Sequence, residues 1–307
     1  MLKVGVSSAH WYREEDPLGS LQYIKSCGFD AIDFNLNTYL ATQQLTTEGI
    51  TPTVFDKSME DLLACFEPLK RASEQTGVEI AQIHAPYPAY FDGYAEINAY
   101  LLDVLDKCFA LCAYLHCPAI VVHPIRGNAP THEWEITLAH YRSLIPLIQK
   151  YKGVKICLEN LFNRQDKRIL NGRLSDPSEA RRMLDLLNAE AGEPCFGFCL
   201  DVGHTNLTNR SIKSFLLEMG DRVTNLHVHD NNGTDDLHVL PYSCMVTKNC
   251  HVCDWDGFVE GLRAIGYRGV LSFETDRIFT AYPTAVHTEV LRLISAIGRH
   301  WSEEIEK

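Results

Sequence analysis

Eight short apolar runs punctuate the chain: 3–7 (KVGVS), 31–35 (AIDFN), 78–84 (VEIAQIH), 119–123 (AIVVH), 154–159 (VKICLE), 197–201 (GFCLD), 223–229 (VTNLHVH) and 269–274 (GVLSFE). They are rich in β-branched residues and lack a clean apolar–polar alternation, the pattern of strands buried on both faces. The segments between them carry apolar residues at helical spacing, as in MEDLLACFEPLKRASEQTG, INAYLLDVLDKCFALCAYLHC and PSEARRMLDLLNAEAG. A last amphipathic segment, 283–300, follows the eighth run. Gly28, Gly77, Gly220 and Gly266 each close a helical segment just before a strand, the signal of a helix C-terminus.

Strict alternation of strand and helix predicts one α/β domain over residues 1–307, folded as a (β/α)₈ TIM barrel. An open doubly wound sheet is the competing architecture. No G-x-G-x-x-G follows the first strand and no P-loop is present, so no nucleotide cofactor is expected. The longer loops follow strands two (37–54), five (160–175) and seven (230–253). All three lie at the carboxyl face, where barrel enzymes build their sites.

Composition narrows the partners. The formal net charge is −12 and no Lys/Arg cluster occurs, so a nucleic-acid partner held by phosphate neutralisation is not expected. The opening MLKVGVSS lacks the features of a secretory leader. No stretch approaches the ~20 apolar residues of a membrane span. A cytoplasmic location without a membrane partner is therefore expected. The eleven cysteines are odd in number, and Cys108, Cys112, Cys157 and Cys199 sit inside apolar patterns. They read as reduced core thiols. Cys244, Cys250, His251 and Cys253 crowd into one loop, but their spacing matches no established zinc motif. A surface loop, a thiolate metal site and a redox patch all remain open for Cys244–Cys253.

The chemistry lies where the runs end. AQIH stops at His84, IVVH at His123, KICLE at Glu159 and LSFE at Glu274; FCLDVGH ends on Asp201 and His204, NLHVH on His227 and His229, DDLH on Asp236 and His238. Ligand residues at the carboxyl ends of successive strands converge on the mouth of a parallel barrel. Glu159, Asp201 and Glu274 supply oxygens and His227 a nitrogen, a set that suits a divalent ion: zinc, manganese, cobalt or magnesium. Such an ion polarises the carbonyl of a chelated hydroxy-carbonyl pair. Glu159 and Glu274 arise from different strands, so one can remove the acidified α-proton and the other return it. His84, His123, His204, Asp236 and His238 form a second group, read either as additional metal ligands or as groups that bind substrate hydroxyls and orient the first set. His10, Trp11, Arg126 and Arg164 are candidate substrate contacts, and Asp33 a candidate hydroxyl partner.

The series IHAP, VVHP, LEN, LDVGH, HVHD, DDLH followed by LP and DW, and FET resembles the xylose isomerase-like TIM-barrel family, which includes the endonuclease IV branch. The resemblance runs from Met1 to the last helix. It implies Glu159, Asp201, His227 and Glu274 as shared metal ligands, with the two glutamates as the proton-transfer pair of the epimerases. It also implies a carbohydrate substrate and allows self-association into a homo-oligomer. The endonuclease IV branch would add His84, His123, His204, Asp236 and His238 for a trinuclear zinc site. The pattern prefers His227 over His229 as the ligand. Two departures stand out: where ketose 3-epimerases carry a second Glu and an Arg, this chain has Gln165 and Gly233. In addition, Tyr242–Cys253 replaces a shorter Gly-rich turn. The expected function is a metal-dependent isomerase or epimerase acting on a sugar, sugar phosphate or cyclitol through an enediolate. The alternatives are an endonuclease IV-like zinc phosphodiesterase, a keto-cyclitol dehydratase using the same site, and a barrel that only binds sugar or metal.

Overall fold

The computed structural model describes residues 1–125, 133–244 and 252–307; Arg126, Cys250 and His251 fall outside them. Eight parallel strands run β1 (Val4–Ser7), β2 (Ala31–Asn35), β3 (Glu79–His84), β4 (Ala119–Val121), β5 (Lys155–Glu159), β6 (Phe196–Asp201), β7 (Val223–His227) and β8 (Leu271–Phe273). Each pairs with its neighbour in sequence, and β8 returns to β1. The seam between β7 and β8 is drawn together by a parallel bridge of Val228 with Phe273. There the Val228 amide donates to the Ser272 carbonyl and the Glu274 amide to the Val228 carbonyl. The result is the TIM barrel that the alternation predicts.

The crossover helices are α1 (Pro17–Ser26), α2 (Met59–Thr76), α3 (Ala95–Tyr114), α4 (Glu133–Ile148), α5 (Pro177–Ala191), α6 (Ile212–Met219), α7 (Trp255–Ala264) and α8 (His287–Ile305). Their starts are set by side chains that take up free backbone amides. Asp16 accepts from Gly19, Ser58 from Asp61, Asp176 from Ser178 and Asp254 from Gly257. The four closing glycines all have positive φ, which a side chain would strain. The last helix docks through Trp301, which stacks on Trp255 and on Phe273 of β8 with centroids 5.0 and 5.7 Å apart.

Residues alternate between the two faces of each strand. The outward set (Phe34, Ile83, Ile120, Ile156, Phe198, Leu226, Phe273) joins the large core beneath the helices. The inward set has small side chains low in the barrel (Ala119, Val121, Cys157, Cys199). Towards the carboxyl end it turns polar, and those positions form the site. Among the described residues ten cysteines are free thiols, eight of them buried, as the apolar patterns predict.

Two features depart from the expected loops. After β5, Phe162–Gln165 and Arg168–Asn171 form an antiparallel hairpin, turning on Asp166 and Lys167, both at positive φ. After β6, a short helix at Val202–Leu207 carries His204 into the barrel mouth. Among the described residues no helix is long and apolar enough to cross a membrane.

Candidate metal centre

The inward, carboxyl-end positions bring Glu159, Asp201, His227 and Glu274 into one buried cluster. His227 Nδ1 lies 3.2 Å from Glu159 Oε2 and 3.5 Å from Glu274 Oε2. His123 Nε2 approaches the same Glu159 oxygen to 3.2 Å, and His204 Nδ1 reaches Glu159 Oε1 at 3.4 Å. Asp201 gives one oxygen to the His204 amide at 2.6 Å, capping the short helix, and so points its carboxylate into the cluster. Its alignment is set by Asn160, which accepts from the Asp201 amide and donates to the Asp201 carbonyl.

A second cluster adjoins the first. His204 Nε2 and His238 Nε2 lie 3.7 and 3.2 Å from Asp236 Oδ2, and His229 Nε2 lies 3.8 Å from Asp236 Oδ1. One ligand atom from each of His204, His229, Asp236 and His238 falls within a sphere of metal-binding size. The groups His84–His123–Glu159 and His84–His227–Glu274 meet the same condition. All nine residues predicted from the strand ends therefore meet at one mouth, together with His229. On a continuous strand His229 would share the face of His227, and the family pattern prefers His227 as ligand. In the structure the strand ends at His227, and His229 turns towards Asp201 at 3.2 Å and stacks on His238 at 3.9 Å. Room for this ring comes from Gly203, where a Cβ would stand 1.9 Å from His229 Cε1.

The polar atoms fit a cation. Glu159 Oε2 and His227 Nδ1 are buried and only 3.2 Å apart, yet neither has a hydrogen-bond partner among the described residues; Asp236 Oδ1 is likewise unpartnered. Buried polar atoms are normally satisfied, and atoms orphaned while converging have the disposition of ligands. The other nitrogen of His227 is held: Nε2 donates to Asp33 Oδ2 at 3.0 Å. That carboxylate also accepts from Gln82, which accepts from Asn225, which accepts from the Cys157 thiol. This buried polar column down the barrel axis fixes the ring so that Nδ1 faces the cluster.

Burial opposes charge throughout, and the neighbours decide the outcome. It raises the Glu159 carboxyl, but His123 and His227 outweigh it and hold Glu159 well below the usual range. For Glu274 burial wins over His227 and His238, and its pKa is pushed up to about 8. Despite burial, His204 stays well above the ordinary imidazole value because Asp201, Asp236 and Glu159 surround it, and His227 does so beside Cys199, Glu274, Glu159 and Asp33. His238 is raised to about 10 by Glu274 and Asp236, while His123, dominated by burial, drops to about 3. A cation entering this site must displace protons from His204, His227 and His238. Glu274 must also ionise, so metal affinity is expected to rise with pH through neutrality and up to about pH 10, with net proton release. Calorimetry in buffers of different ionisation heat checks this, and a pH-independent affinity would contradict it.

Of the predicted substrate contacts, Arg126 lies outside the described residues. His10 and Trp11 line a cleft of about 350 Å³ with Phe279 and His287; Trp11 is itself buried and donates to the Ser7 carbonyl. Arg164, on the hairpin, is exposed and bonded to Thr234 and Asp235, tying the hairpin to the loop that carries Asp236. Asp33 holds His227 through Oδ2 and keeps Oδ1 unpartnered. Cys244 donates its amide to Asp230, and the Cys253 thiol points at the His229 carbonyl. Sequence reasoning passed over Gln82, Asn225 and Asn160. The available signal was a polar residue at an inward position of an otherwise apolar strand.

The sequence profile of the xylose isomerase-like TIM barrel matches residues 21–294. The chain belongs to that family. Among curated proteins, this xylose isomerase-like chain is 36% identical to an uncharacterized protein, y4fM, of Sinorhizobium fredii over 102 residues. That match covers 32% of this chain and 30% of the relative. Among solved structures, a D-tagatose 3-epimerase-like protein superposes with a TM-score of 0.69 at 20% identity, covering 99% of this chain and 98% of that one. The 3-keto-D-glucoside 4-epimerase of E. coli superposes at 0.68 and 19% identity, covering 96% and 100%. At these identities the superpositions show the shared barrel.

Proposed function

We propose that this protein is a divalent-metal-dependent isomerase or epimerase of a sugar, sugar phosphate or cyclitol. The observation that carries the reading is Glu159 and Glu274 converging from β5 and from the end of β8 on one His227 nitrogen, at 3.2 and 3.5 Å. Glu159, Asp201, His227 and Glu274 would hold a zinc, manganese, cobalt or magnesium ion, which supplies polarisation of a substrate carbonyl.

The side chains do the rest. In the metal-free site Glu159 is held ionised, which makes it the stronger candidate for removing the α-proton, and the Glu274 carboxyl is raised to about 8, which makes it the candidate for returning one. Return of the proton to the other face of the same carbon gives an epimer; return to the neighbouring carbon of the enediolate gives an isomer. Loss of a β-hydroxyl from the same enediolate gives the dehydratase outcome. The barrel shared with a 3-keto-D-glucoside 4-epimerase and a D-tagatose 3-epimerase-like protein supports this class of chemistry.

Deuterium exchange on a panel of ketoses and keto-cyclitols in D₂O tests the reading. Manganese-loaded protein is expected to introduce deuterium at the α-carbon of at least one substrate; absence of exchange across the panel counts against it.

The adjoining His204–His229–Asp236–His238 cluster favours a second reading, phosphodiester hydrolysis at a multinuclear zinc site. The net charge of −12 opposes a DNA substrate. Cleavage of abasic-site DNA by zinc-loaded protein, without sugar exchange, would favour it.

A further inference from the structure

The proton-transfer reading leaves one adjoining cavity unused. The loop after β3 carries Tyr87, Tyr90, Phe91 and Tyr94, and with Gln43, Thr46 and Asp92 they line a space of about 570 Å³ that reaches His123. His123 belongs to both spaces: its Nε2 is 3.2 Å from Glu159, and its ring centroid is 4.4 Å from that of Tyr87. The cavity is therefore continuous with the ligand shell.

The loop is held in shape by two asparagines. Asn37 accepts from the Tyr87 amide at 2.7 Å. Asn98 brackets Phe91, accepting from its amide at 2.7 Å and donating to its carbonyl at 2.6 Å. The aromatic faces are thus fixed in place before any ligand arrives, which lowers the entropy cost of binding. Tyr94 is 46% exposed and meets Phe91 edge-on, with ring centroids 6.4 Å apart.

The lining selects the chemistry of the occupant. Aromatic faces suit a flat ring with an apolar side, and the amide, hydroxyl and carboxylate of Gln43, Thr46 and Asp92 suit hydroxyls at its rim. Among the described residues that line it there is no lysine or arginine, so none of these offers such a cation to a phosphate. The volume lies within the range of small-molecule sites.

We propose that this cavity is a subsite for a second ring, making the substrate a glycoside or disaccharide. The carbonyl-bearing ring lies at Glu159 and Glu274, an assignment that rests on the reading above, and the second ring lies on the aromatic shelf, an assignment that does not.

The test is titration of methyl β-D-glucoside, phenyl β-D-glucoside, cellobiose and glucose 6-phosphate by NMR and calorimetry, with and without manganese. Phenyl glucoside or cellobiose is expected to bind about tenfold more tightly than methyl glucoside, and glucose 6-phosphate to show no gain. Whichever two-ring probe leads identifies the ring as aryl or sugar. Phe91→Ala is expected to remove the gain while metal content stays at the wild-type level. Tyr94→Ala, at a more exposed position, gives the same readout if Phe91→Ala perturbs folding. Equal affinity for one-ring and two-ring probes, no detectable binding of either two-ring probe, or a gain that survives both substitutions would overturn the proposal. Failure of the proton-transfer reading is separable: exchange in D₂O is then absent while the two-ring preference persists.

Discussion

Glu274→Gln is expected to lower kcat by about 100- to 10,000-fold on a working substrate, and Glu159→Gln to do the same. Burial pushes the Glu274 carboxyl up to about 8 against the pull of His227 and His238. At that value the metal-free group exchanges its proton near neutral pH, the property that a proton donor to an enediolate needs. Glutamine has nearly the same shape and no such proton. At Glu159 the opposite holds: the neighbouring histidines keep it ionised, and glutamine cannot act as a base. The effects should be distinguishable, because each variant keeps one of the two proton-transfer groups. Exchange in D₂O from one epimer should outlast overall epimerisation in each case. Retention of wild-type turnover by both variants would remove the proton-transfer assignment.

Asp33→Asn is expected to weaken metal binding by about 10- to 100-fold. Asp33 Oδ2 accepts from His227 Nε2 at 3.0 Å and from Gln82 at 2.9 Å, so it sets the orientation of the ring and which nitrogen faces Glu159. An amide there keeps the volume but loses the charge that makes the imidazole a better donor to a cation. The readout is the dissociation constant for manganese or zinc by competition with a chromophoric chelator. Thermal unfolding of the metal-free variant serves as the control for folding. An unchanged metal affinity in a folded variant would mean that the polar column is structural and nothing more.

Much of this was legible in the chain because barrel geometry turns strand ends into a site. Glu159, Asp201, His227 and Glu274 each close an apolar run, and alternation along buried strands sends them inward with no further information needed. What lay beyond reach depended on contacts across the barrel. The hairpin at 162–171 turns on Asp166 and Lys167, neither of which carries the Asn-Gly signal of such turns. His229 became part of the site only because the strand ends at His227 and Gly203 leaves room for its ring. Gln82 and Asn225 sit in strands marked only by their terminal His84 and His227, and their partnership spans 143 positions in sequence. The aromatic loop after β3 gave no pattern either, since its cavity exists only once that loop stands beside His123.

The central claim is that the converging side chains at the barrel mouth hold one catalytic cation. Elemental mass spectrometry on protein purified without chelator, before and after reconstitution, tests this most directly. The account predicts about one manganese, cobalt or zinc ion per chain, lost in Asp201→Asn and His227→Ala. Protein that takes up no metal in any of these baths would contradict it, and two or three zinc ions per chain would move the assignment to phosphoester hydrolysis.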